Sequence, residues 1–82
     1  MKYCELCGHP HTSLDTHHLI GGCNRTKCDE DGLTIEVCRL CHSALHRSAV
    51  AEKLSKMYGQ AIYETNNTRQ QFLDRYGKLY FQ

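Results

Sequence analysis

Apolar and polar positions alternate over residues 14–20, LDTHHLI, and again from Leu33 to Val37, LTIEV, whose β-branched content suits a pleated, half-buried surface. The two runs predict an antiparallel hairpin joined by an unusually long connection, Gly21 to Gly32. That connection carries Asn24, Arg25, Thr26 and Lys27 before turning acidic at Asp29-Glu30-Asp31, so it reads as a substrate-side loop. From Cys41 the period changes. Ala44, Leu45, Val50, Leu54, Met57, Tyr58, Ala61 and Ile62 recur mostly at three- and four-residue intervals, which predicts an amphipathic helix with Gly59 as a point of kink or interruption. Asn66-Asn67-Thr68 reads as a helix stop followed by a new N-cap, and Phe72, Leu73 and Tyr76 give a short apolar face before Gly77. Residues 1–13 form a turn-rich run around the single proline, opened by Cys4-Glu-Leu-Cys7-Gly8. Residues 79–82, LYFQ, match the remnant of a commonly used tag-removing protease site and carry no functional expectation.

The pattern is that of one α+β domain over residues 1–82, with a motif core at 4–46 and a helical tail at 47–78. A domain of this size buries only about 60% of its unfolded surface, so its apolar core is a thin source of stability and a staple is expected. No apolar run approaches the length of a membrane span, and the first residues lead into cysteines without the hydrophobic region of a secretory signal. The expectation is a cytoplasmic protein without membrane contact. In that compartment six cysteines point to metal before disulfides. A net charge of +1 argues against a binder that holds nucleic acid by charge alone, but not against an enzyme touching a few phosphates.

Cys4-x-x-Cys7 and Cys38-x-x-Cys41 are two thiolate hooks whose four sulfurs can close a tetrahedral site, which predicts structural zinc. The metal would tie the N-terminus to the start of the helix across an inserted hairpin. Cys23 and Cys28 lack paired partners and read as ordinary reduced thiols, and His9 and His11 as turn residues beside Pro10. His42 and His46 stand four apart on the helix and share a face. Together with His17 and His18 they make four imidazoles, yet a catalytic metal held by three leaves open positions while a fourth would close them. Strand alternation separates the pair: if His17 turns toward the helix and ligates, His18 projects elsewhere and is free to take a proton from water.

These residues carry a resemblance. The segments CELC, LDTHHLIGG and VCRLCHSALH, over residues 4–46, resemble the HNH endonucleases, the ββα-metal nucleases, and in particular small phage-type members in which HHxxGGxNR precedes a glycine-leucine step and a Cys/His-rich helix start. The resemblance implies a zinc-stabilised ββα-metal fold, a β-hairpin plus helix, here with a C-terminal helical extension. It implies a metal-dependent endonuclease that hydrolyses DNA phosphodiester bonds with one divalent cation, Mg²⁺, Mn²⁺, Ni²⁺ or Zn²⁺. Carried over, His17, His42 and His46 are metal ligands, His18 is the general base, and Cys4, Cys7, Cys38 and Cys41 bind structural Zn²⁺. The family's middle asparagine is missing from the second strand, where Gly32-Leu33-Thr34 stands, and Asn24 is the candidate in its place, holding the base histidine in its tautomer. Arg25, Lys27, Arg47 and Lys53 are candidate contacts to DNA phosphates. The rival reading is a non-catalytic zinc-binding module for DNA or protein, in which a second, unligated imidazole beside the first has no use. A thiol-redox role for the Cys-x-x-Cys pairs lacks the βαβ surroundings it would need.

Overall fold

Two short hairpins and four helices make up the computed structural model, which describes residues 1–82. Strands β1 (Lys2–Tyr3) and β2 (Pro10–His11) pair antiparallel on either side of the Cys4–Cys7 turn. Strands β3 (Asp15–His18) and β4 (Thr34–Val37) form the second antiparallel pair, with His17 opposite Ile35 and His18 opposite Thr34. Alternation decides burial: His17, Ile35 and Val37 face the interior, while His18 and Thr34 are only half-buried and Glu36 is exposed. The expected hairpin is therefore present, with His17 and His18 on opposite faces as alternation requires.

The connection expected as a loop is instead a 3₁₀ turn at Gly22–Asn24 followed by helix α1 (Arg25–Asp31). Its sequence, RTKCDED, offers one apolar residue and no periodicity. Two tertiary features hold it. Cys28 is fully buried in the core, and Gly32 ends the helix in the left-handed region at φ 70°, its N–H bonded to the Cys28 carbonyl. Arg75, Tyr76 and Lys27 then latch α1 to the last helix: Tyr76 Oη donates to Asp31 at 2.6 Å, Arg75 pairs with Glu30 and Asp31, and Lys27 Nζ donates to the Arg75 carbonyl at 2.7 Å.

The long helix also differs from its expectation. It is two helices, α2 (Arg39–Arg47) and α3 (Ala49–Tyr63), broken at Ser48 rather than at Gly59. Ser48 takes an extended conformation and its hydroxyl accepts from Ala51 N, so it caps α3. Gly59 lies inside an unbroken helix because α3 presses there on β3's continuation. A Cβ at position 59 would stand 2.8 Å from Ile20 Cδ1 and 3.0 Å from Leu19 Cβ. The face of α3 turned inward carries Ser55, Gly59 and Gln60, whereas Val50, Leu54 and Tyr58, part of the expected apolar stripe, are 70%, 57% and 54% exposed. This part of the stripe faces outward, while Ile62 packs against the core.

Helix α4 (Arg69–Tyr76) starts at a Thr68–Gln71 capping box and ends at Gly77, as the sequence predicts. Its Phe72 and Tyr76 complete a core with Leu19, Ile20, Cys28, Leu33, Ile35 and Val37. Residues 79–82, to which no role was assigned, pack as well. Leu79 and Tyr80 lie against the core, and the buried Gln60 side chain accepts from Tyr80 N at 2.7 Å and donates to the Phe81 carbonyl at 3.1 Å. No helix is long and apolar enough to cross a membrane.

Candidate functional site

Cys4, Cys7, Cys38 and Cys41 converge with all four sulfurs within 4.8 Å of one another, close enough to hold a metal ion. Zinc–sulfur bonds of about 2.3 Å in a tetrahedron set sulfurs about 3.8 Å apart, and Cys7 Sγ to Cys38 Sγ measures 3.9 Å. The chain reaches this geometry through two turns. Gly8 takes φ 75°, and Gly8 N bonds the Cys4 carbonyl at 2.9 Å, closing the first hook. Cys38 caps α2, its sulfur accepting from Cys41 N at 3.5 Å. Burial pushes the Cys4 thiol up, but the backbone N–H groups of Cys7, Cys38 and Leu6 aimed at its sulfur prevail and bring it down to about 5. Burial and the neighbouring sulfurs push Cys41 up to about 12. The donor set is consistent with structural zinc.

The second group is His17, His42 and His46. His42 Nε2 and His46 Nε2 lie 3.2 Å apart, close to the roughly 3.3 Å expected for two nitrogens on one tetrahedral ion. The His17 ring stands 5.4 and 5.3 Å, centroid to centroid, from those of His42 and His46. Its own contacts settle its tautomer. Ser55 Oγ donates to the Leu19 carbonyl at 2.9 Å, so toward His17 Nε2, also at 2.9 Å, it acts as acceptor. The ring proton sits on Nε2, and Nδ1 keeps a lone pair, buried and without a hydrogen-bond partner. Burial first, then the nearby His46, His42 and His18, lower the His17 pKa to about 4, so the ring is neutral near pH 7, as a metal ligand must be. An orphaned buried lone pair among convergent imidazoles fits a divalent cation.

Asp15 does for His42 what Ser55 does for His17. Its Oδ2 lies 3.1 Å from His42 Nδ1, which puts the proton there and leaves Nε2 facing His46. Arg39 holds the same carboxylate at 2.8 Å, and together Arg39 and His42 keep Asp15 below the usual carboxylate range. His18 is not in the metal group. Alternation turns it to the other face, where Nε2 meets Asp29 Oδ1 at 2.9 Å on α1. Asn24 shares the cavity with His17, His18 and His46, but its side chain bonds neither His18 nor the cap of α1. The group that orients His18 is thus Asp29, not Asn24.

Two cavities flank the histidines. One, of about 400 Å³, is lined by His17, His18, Asn24, Glu52, Lys56 and Tyr80 among others, and the other, of about 300 Å³, by His17, His18, Arg25, His42 and His46 among others. Of the expected phosphate contacts, Arg25 lies at the cleft and Lys53 lines the adjoining groove. Arg47 is exposed near the end of α2, and Lys27 is turned away onto α4. Cys23 is exposed at the cleft rim, Cys28 is a core residue, and neither joins a metal group. Sequence reasoning missed Asp15, Asp29 and Ser55. Asp15 was findable, since it lies two residues before His17 on one strand face. Asp29 was concealed by reading α1 as a loop, and a serine on a helix gives no sign of its partner. No known family model, curated protein or solved structure matches the chain.

Proposed function

We propose that the histidine cleft is the active centre of a metal-dependent endonuclease of ββα-metal type acting on DNA phosphodiester bonds. The hairpin β3–β4 and helix α2 are its hairpin and helix, and the four cysteines bind its structural zinc. The observation that carries the reading is the division of labour between adjacent histidines. His17 Nδ1 is buried and unpaired beside His42 and His46, while His18 stands outside that group against a carboxylate. A purely structural site needs no such second imidazole.

His17, His42 and His46 would hold the cation, which when bound supplies Lewis acidity to the phosphoryl oxygens and the leaving 3′-oxygen. His18 takes the proton from the attacking water. Asp29 holds the His18 Nε2 proton, leaves Nδ1 as the basic nitrogen and stabilises the imidazolium that forms. Arg25, at the cleft, is placed to hold a phosphate next to the one attacked.

A non-catalytic interaction module is favoured by one observation, the outward stripe of Val50, Leu54 and Tyr58. Incubating supercoiled plasmid with protein stripped at the histidine site and then supplied with Mg²⁺, Mn²⁺, Ni²⁺ or Zn²⁺ separates the two readings. Conversion to nicked or linear DNA that requires added ion supports the nuclease, and intact plasmid under every ion leaves the interaction module.

A further inference from the structure

Helix α1 has two opposed working faces. At about 100° per residue, Arg25 and Asp29 fall on one side of it, and Lys27, Glu30 and Asp31 on the other. The first side serves the histidine cleft: Asp29 Oδ1 meets His18 Nε2 at 2.9 Å, and Arg25 lines the cavity that holds His17, His42 and His46. The second side is gripped by α4, where Arg75 pairs with Glu30 and Asp31, Tyr76 Oη donates to Asp31 at 2.6 Å, and Lys27 Nζ donates to the Arg75 carbonyl at 2.7 Å. Apart from the buried Cys28 and the Gly32 cap, little else holds α1. Its seven residues are too few for a helix that stands alone, and no side chain caps its start. Asp29, Glu30 and Asp31 also crowd negative charge at the end where the helix dipole is already negative, and Arg75 answers two of those three carboxylates. The grip comes from a fixed body, since Phe72 and Tyr76 of α4 are buried in the core with their rings stacked at 4.8 Å. The imidazoles of the metal group lie outside this chain of contacts, bonded to Ser55, Asp15 and each other.

We propose that Arg75 and Tyr76 are positioning residues for the cleft: by gripping α1 from behind they hold Asp29 on His18 and Arg25 at the cleft, so that α4, which has no residue in the histidine site, sets the bearing of its base. The effect on catalysis rests on the nuclease reading; the effect on His18 itself does not. The test is nitrogen-15 NMR of the full chain, its histidine site emptied of metal, at about pH 8.5, where an unperturbed imidazole is neutral. The wild type is expected to hold the His18 proton on Nε2, and the double variant Arg75→Gln, Tyr76→Phe to populate both tautomers, as Asp29→Asn should. Tyr76→Phe alone keeps the stacked ring and drops only the hydroxyl. It should shift the tautomers the same way to a smaller extent, and it carries the test if the double variant loses its cooperative melt. Arg75→Lys, which can keep one ion pair, should recover most of the wild-type spectrum. Arg69→Gln removes a guanidinium of α4 that pairs with Glu64 instead, and should leave His18 unchanged. In the double variant the metal affinity of the histidine site should hold while single-turnover cleavage falls roughly 10- to 100-fold, the usual effect of losing a supporting contact. A His18 that keeps its proton on Nε2 in every latch variant overturns the proposal, as does an equal shift in Arg69→Gln. A tautomer shift in a protein that cuts no plasmid under any ion keeps the latch and loses the nuclease. Cleavage at the wild-type rate by a folded double variant with His18 unshifted does the reverse.

Discussion

Ser55 Oγ is shared between His17 Nε2 and the Leu19 carbonyl, 2.9 Å from each, and this one hydroxyl decides which nitrogen of His17 is free. Ser55→Ala removes the acceptor while leaving the ring in place. The expected result is a metal affinity at the histidine site lower by roughly 10- to 100-fold, the usual effect of losing such a supporting contact. Nitrogen-15 NMR of the metal-free variant should show His17 populating both tautomers, where the wild type shows only the Nε2–H form. A single tautomer with unchanged metal affinity would remove Ser55 from the site.

Adjacent histidines should fail in different ways. On the proposed reading His17→Ala takes away a ligand, so cleavage is expected to fall and partly recover at high metal concentration. His18→Ala should bind the ion normally and lose roughly 100- to 10,000-fold in single-turnover rate, with no repair by metal. Asp29→Asn should lie between, since the base survives without its carboxylate. Calorimetric metal titration beside single-turnover kinetics on the three variants checks the assignment, and a His18→Ala protein that cannot bind metal would exchange the two roles.

Three imidazoles with no carboxylate among the donors form a set suited to the later transition ions and poorly suited to Mg²⁺. Ni²⁺, Zn²⁺ and Co²⁺ are therefore expected to bind the histidine site far more tightly than Mg²⁺. Competition against a Co²⁺ absorption band would measure the order, and Mg²⁺ displacing Co²⁺ at comparable concentration would contradict it.

The two metal sites should come apart under chelation. A mild chelator is expected to empty the histidine site and leave the fold, whereas a strong one, by taking the cysteine-bound ion, should unfold the chain, because such sites contribute on the order of 10 kcal/mol, as much as the net stability of a small domain. Circular dichroism and elemental analysis along one chelator series follow both. A cooperative melt that persists after all metal is gone would show the cysteines to be dispensable.

Gly59→Ala tests the packing behind the site. The new methyl meets Leu19 Cβ, which the backbone fixes, as well as the more yielding end of Ile20. Overpacking of this kind costs roughly 1–3 kcal/mol, and alanine's better helix preference returns only about 1 kcal/mol. The melting temperature should fall by several degrees, and a rise would mean that β3 and α3 separate more easily than their contact implies.

What was legible in the sequence was what repeats at a fixed interval. Cys-x-x-Cys spacing, strand alternation across His17 and His18, and the four-residue step from His42 to His46 each constrain geometry locally, and the structure gathers the four cysteines and His17, His42 and His46 while turning His18 away. Helix α1 was not legible, because its one buried residue and its latches to Arg75 and Tyr76 are tertiary. The inward face of α3 is not legible for a related reason. Its inward face is chosen by what fits against Leu19 and Ile20 and by what Gln60 and Ser55 can bond, and neither is a matter of hydrophobicity.

Cys41 and His42 are consecutive residues, one in the sulfur cluster and the next in the imidazole cluster, with Cys38 capping the helix that carries both. The two groups are therefore linked through a single peptide unit. Gathering the sulfurs fixes the first turn of α2 alongside the Asp15 contacts to Arg39 and His42, and both set the bearing of His42 and His46 toward His17. If both groups take up metal as proposed, loss of the cysteine-bound ion should weaken the histidine site even when its own ion is plentiful.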